Sequence, residues 1–115
     1  MAARKVGPVL VDILDAIDGI QRVTAGKTFA EFESSWLLRL ATQRALEIIS
    51  EATRHIPDEM LAPHPDIPWK RIRGIGNVLR HEYHRVADDA VWVVVVDSLT
   101  PLRAAIEAIR ERNAE

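Results

Sequence analysis

Val6, Val9, Leu10, Ile13, Ile17, Ile20 and Val23 recur three and four residues apart, the spacing that lines one face of an α-helix, and Gly26 supplies a stop. A second helix is predicted from Thr28, because Thr28 and Glu31 form a capping-box pattern able to satisfy free backbone N–H groups at a helix start. With neither glycine nor proline before Pro57, this helix is expected to run to about His55. The segment IPDEMLAPHPDIPW holds four of the six prolines and reads mostly as loop. Pro68 suits a first helical turn, so a third helix is expected to begin beside Trp69. In the last segment, DDAVWVVVVDSLTPLRAAIEAIRERN, the β-branched run Val93 to Val96 fits a buried strand as well as a helix. Helix is favoured, because a lone strand would leave its edges unpaired, whereas Asp88 or Asp89 can cap a helix whose stripe continues through Leu99, Leu102, Ile106 and Ile109. Pro101 is expected to kink this helix or divide it. The pattern predicts an all-α fold, an up-and-down bundle of four principal helices with the last kinked or split near Pro101.

A chain of 115 residues is long enough to bury a core without cross-links and short for two domains, so residues 1–115 are expected to form a single helical domain. Fifteen basic against 17 acidic residues leave a net charge of -2, so any contact with nucleic acid must use a local patch. The absence of cysteine excludes disulfides and thiolate metal sites and suits a cytoplasmic location. Asp12, Asp15 and Asp18 interrupt the apolar residues of the first helix, unlike a signal peptide, and no segment reads as a membrane span, so no membrane partner is expected.

The third helix concentrates the chemistry. With Arg73 set at zero and about 100° per residue, Asn77 falls at about 40°, His81 at about 80°, His84 at about 20° and Arg80 at about 340°, all on one face. Ile75, Val78, Leu79 and Val86 fall between about 140° and 240°, the face expected to pack into the bundle, with Tyr83 at about 280° and Gly76 at about 300°. Gly74 and Gly76 would let a substrate or another helix approach the backbone closely. An imidazole exchanges protons near neutral pH and a guanidinium holds phosphate oxygens through paired hydrogen bonds, the two groups that metal-free phosphodiester cleavage requires. A solvated polar face and a catalytic or ligand site both fit this spacing. His81 and His84 also read as HxxH, but no third ligand accompanies them and no metal is expected. His55 and His64 flank the proline-rich loop and are expected to be exposed and without a role. Glu82 falls toward the presumed core side. Arg44, Glu47, Glu51 and Arg54 share a face of the second helix, either as a ladder of exposed ion pairs, as a border of the cleft that orients Arg73 or His81, or as a dimer seam. Trp36, Trp69 and Trp92, each among apolar helical neighbours, are expected as core or interface anchors.

The order of these landmarks resembles the HepT-like ribonuclease toxins, a branch of the HEPN (higher eukaryotes and prokaryotes nucleotide-binding) superfamily. The similar pieces are LVDILDAIDGI, TFAEF, RALEIISEA, IPWKRIRGIGNVLRHEY and a closing VW followed by a PL-containing helix, together nearly the whole chain. The resemblance implies a metal-independent endoribonuclease toxin of a type VII toxin-antitoxin pair, a homodimer with its motifs along a shared cleft and no cofactor of its own. It implies as partners an RNA substrate and an MntA-type nucleotidyltransferase antitoxin, which would transfer AMP from ATP onto the motif tyrosine. That motif is arginine, four to six residues, histidine, any residue, tyrosine. His81 and Tyr83 match its end, Tyr83 as the AMP acceptor, and Asn77 matches the polar residue after the arginine. Gly76 stands where the arginine is expected. Arg73 and Arg80 flank the His81 face and either could substitute, Arg73 ranking first for lying one turn from Asn77. The alternative is a catalytically weakened or inactive HEPN-type helical partner that binds a nucleotidyltransferase or nucleotide.

Overall fold

The computed structural model describes residues 5–81 and 87–114. The first apolar stripe forms α1, Val6–Thr24, and buries Leu10, Ile13, Ile17 and Ile20. Gly26 takes a positive φ of 73° that a side chain would disfavour, turning the chain out of α1. The Thr28 hydroxyl then accepts from the Glu31 N–H at 3.1 Å while the Glu31 carboxylate accepts from the Thr28 N–H at 2.9 Å. The Thr28 backbone N–H first, and the nearby Thr28 hydroxyl second, hold the Glu31 carboxyl below its ordinary value.

The expected long second helix is two. The short α2, Phe29–Ser34, ends at Ser35, whose extended backbone breaks the helix and whose Oγ accepts from the Leu38 N–H at 3.1 Å to cap α3, Trp36–Thr53. Serine competes for backbone N–H groups and favours helix starts, so Ser35 divides the segment without glycine or proline. The bend turns Phe32 into the core, where its ring lies 5.0 Å from Trp92.

Within the proline-rich segment, Asp58–Leu61 makes a single helical turn, α4, and Trp69 Nε1 donates to the His64 carbonyl at 2.9 Å. His55 and His64 are half-buried rather than exposed, and His55 faces Glu51 at 3.4 Å. α5, Trp69–His81, begins beside Pro68 as expected. The valine run is helical: α6, Asp88–Val93, passes through a π-turn, Val94–Ser98, into α7, Leu99–Arg112. The helix is therefore re-wound rather than cut. Val91, Val95 and Leu99 are all buried at successive spacings of four, a pattern that drifts by about 40° per step in an α-helix, and the wider π-turn absorbs that drift. The turn also lies where Pro101 cannot donate to the carbonyl four residues back.

No strand occurs among the described residues, and the fold is an all-α helical bundle. α3 lies between α1 and α5, and α7 packs on α1. The α1–α7 contact carries a polar clasp in which Arg103 donates to the carboxylate of Asp18 and, at 3.0 Å, to the amide oxygen of Gln21. No helix of the described residues is long and apolar enough to cross a membrane.

Candidate active site

α5 is held against α3 by a contact the residue pattern did not reveal. Gly76 is buried, and a Cβ built there would lie 2.8 Å from Ser50 Oγ and 2.9 Å from Ser50 Cβ. The Ser50 hydroxyl donates to the Arg73 carbonyl at 2.9 Å and accepts from the Gly76 N–H at 3.1 Å, so it bridges the α5 backbone from α3. Gly76 is thus the point of helix-to-helix approach, not a substrate groove. Gly74 differs, because nothing lies within 4 Å of a Cβ placed there.

This crossing fixes the rotation of α5. Its buried residues are Gly76 and Leu79, while Val78, expected in the core, is 42% exposed. The apolar face is turned toward Gly76 because glycine permits the backbone itself to approach α3. Glu82, Tyr83, His84 and Val86 lie outside the described residues.

Asn77, Arg80 and His81 are exposed on α5. No carboxylate of the described residues lies within ion-pair distance of Arg80. Arg73 is differently employed. Its Nε donates to the Thr53 carbonyl at 3.2 Å, Nη2 to the Ile56 carbonyl at 2.8 Å and Nη1 to Asp58 Oδ1 at 3.0 Å. The guanidinium therefore caps the C-terminus of α3, whose last carbonyls lack helical partners and carry partial negative charge.

The structure brings Asn77, Arg80 and His81 to one exposed stretch and leaves Arg73 beside it with its donors committed. On α3, Arg44 pairs with Glu47 at 3.3 Å, and Arg54 reaches across to the Arg73 carbonyl at 2.8 Å. The carboxylate that pairs with Arg73 is the solvated Asp58, which the sequence did not indicate, nor did it indicate Ser50. A small hydroxyl residue facing a glycine is a recognisable signal once two helices are known to cross, but sequence does not give the crossing. Trp69 and Trp92 pack against the core, whereas Trp36 is 69% exposed.

The arrangement is that of a helical domain presenting an amide, a guanidinium and an imidazole on one solvent-facing helix, the functional groups of a phosphate-handling surface. Residues 13–109 match the family described as "Ribonuclease HepT-like". A Methanocaldococcus jannaschii protein named "Putative RNase MJ1380" is 31% identical over 109 residues, 95% of this chain and 100% of that protein. A Thermococcus cleftensis protein named "Probable ribonuclease HepT" is 33% identical over 102 residues, 89% of this chain and 93% of that one. The chain belongs to the HepT-like ribonuclease family. No solved structure shows a significant match to it.

Proposed function

We propose that this protein is an endoribonuclease toxin that cleaves RNA without a metal ion, with His81 moving protons and Arg80 holding the reacting phosphate. The observation that carries the reading is the common exposure of Arg80, His81 and Asn77 on α5 in a chain of the HepT-like ribonuclease family. The ribose 2'-hydroxyl attacks the adjacent phosphorus and loses its proton to the imidazole. The bond to the 5'-oxygen breaks, that oxygen takes a proton from water, and the products are a cyclic phosphate and a 5'-hydroxyl. Arg80 stabilises the added negative charge of the transition state, and Asn77 donates to a phosphate or ribose oxygen. Arg73, its donors spent on the Thr53 and Ile56 carbonyls and on Asp58, positions α5 rather than touching substrate.

His81→Ala is expected to lower cleavage by about a hundredfold, the usual scale for losing a general acid or base, with the fold retained because His81 is exposed. Cleavage is expected to persist in EDTA. Full loss in chelator, restored by a divalent ion, would sink the mechanism. The regulatory half of the proposal is that an MntA-type nucleotidyltransferase adds AMP to Tyr83, bringing negative charge and bulk beside Arg80 and His81. Mass spectrometry after incubation with such an enzyme and ATP should find the adenylyl mass on the Tyr83 peptide, and Tyr83→Phe should abolish it.

One observation favours the second reading, a weakened or inactive partner of the nucleotidyltransferase. Gly76 occupies the motif arginine's place and is packed so closely on Ser50 that no arginine fits there. Binding of the nucleotidyltransferase with no cleavage of any RNA would decide for it.

A further inference from the structure

Beyond the His81 end of α5 lies a second cationic feature. Arg54 carries an exposed side chain across to α5, Lys70 stands in the first turn of that helix, and Gly74 follows one turn on. With the edge of Arg73 they line a shallow depression of about 380 Å³. Its floor at Gly74 is backbone, open to any ligand of modest size. Among the described residues no carboxylate lies within ion-pair distance of Arg54 or Lys70, while Arg73 is neutralised only by the outlying Asp58. The first turn of α5 places the positive end of the helix dipole at the same end.

The depression is aligned with the proposed catalytic residues. On the projection with Arg73 at zero, Lys70 falls at about 60°, Asn77 at about 40°, His81 at about 80° and Gly74 at about 100°, one narrow strip along the helix. Eleven residues separate Lys70 from His81, a rise of about 16 Å. A strand whose reacting phosphate lies beside His81 can therefore follow the strip and lay another phosphate over Gly74.

We infer that Arg54 and Lys70 form a second phosphate subsite, which holds an RNA backbone phosphate that is not cleaved. It rests on the ribonuclease reading, since His81 sets where the reacting phosphate lies. The subsite reads charge and spacing, not bases, so it adds affinity and register without sequence preference. It makes strand length a determinant of substrate choice.

The test uses the full chain carrying His81→Ala to prevent turnover, with single-stranded RNA oligonucleotides of increasing length followed by fluorescence anisotropy. Affinity is expected to rise once a strand is long enough to reach Lys70. In the Arg54→Gln/Lys70→Gln double variant that rise should disappear, and the slope of log affinity against log salt should fall by about 0.7, the loss of one phosphate contact on a single strand. Lys70→Gln alone, which disturbs no α3–α5 hydrogen bond, should show the same change in part and guards against an effect of altered packing. RNA binding and cleavage by the native chain, with length dependence and salt slope unchanged in both variants, would overturn the subsite and spare the ribonuclease reading. No RNA binding by the native chain would overturn both.

Discussion

Arg73 offers a planar fork of donors, and three acceptors from α3, the following turn and α4 lie around it. Asp58 is almost fully solvated and contributes little, so the bonds to the Thr53 and Ile56 carbonyls carry most of the effect. Arg73→Lys keeps the charge but cannot span both carbonyls, and is expected to cost about 2 kcal/mol in urea unfolding. A variant as stable as the native chain would refute this capping role. Sequence showed Arg73 beside the His81 face but not where its donors go, because its main partners are backbone oxygens 17 and 20 residues away, which have no residue signature. Glu31 was legible, since its partner lies three residues off. Its lowered folded pKa means that its contribution is present above the ordinary carboxylate value and is lost as pH falls through the folded value. Thr28→Ala should cost about 1 kcal/mol of capping near neutral pH, and the gap to the native chain in denaturation curves should narrow as pH is lowered through that range. A gap independent of pH would show that the Thr28 hydroxyl takes no part in holding the Glu31 carboxylate, leaving the Thr28 backbone N–H alone in that role.

The contact between α3 and α5 belongs to two helices at once. Gly76→Ala should destabilise by about 1–3 kcal/mol through overpacking on Ser50. Ser50→Gly removes the obstructing atoms and should recover part of that loss, giving a favourable coupling in a double-mutant cycle. Strict additivity would mean that the two residues do not meet. At this scale the residue pattern succeeded where its signals are strong: α1 follows from apolar spacing, the start of α5 from Pro68, and the helical nature of the valine run from the lack of a partner strand and the stripe that continues it. It failed at Ser35, where one hydroxyl ends a helix that propensity would continue, while the interruption expected near Pro101 takes the form of a π-turn that keeps the stripe aimed inward. The rotation of α5 was likewise misjudged, because a glycine counts as neutral in a hydrophobic pattern yet here marks the closest approach.

Across the whole molecule, Trp36 and Leu37 are each 69% exposed at the start of α3, an apolar surface unusual for a solvated face and suited to burial against a second copy. The homodimer that the family resemblance implies should sediment as such at micromolar concentration, and Trp36→Ser/Leu37→Ser should shift it to monomer. A native chain that remains monomeric would count against the shared cleft. The bundle architecture was readable from sequence because each helix carries a stripe, while the order of packing was not, since a stripe says that a face is covered but not by what. One such pairing governs how the protein comes into being. α1 is made before α7, and Gln21 meets Thr100 only 79 residues later. At a synthesis rate of about 5–20 residues per second, α1 waits roughly 4–16 s for that partner. Through that interval the ribosome holds a nascent chain whose α1 has nothing of α7 to cover it, which makes α1 a target for whatever guards emerging polypeptides and ties its full burial to the translation of α7.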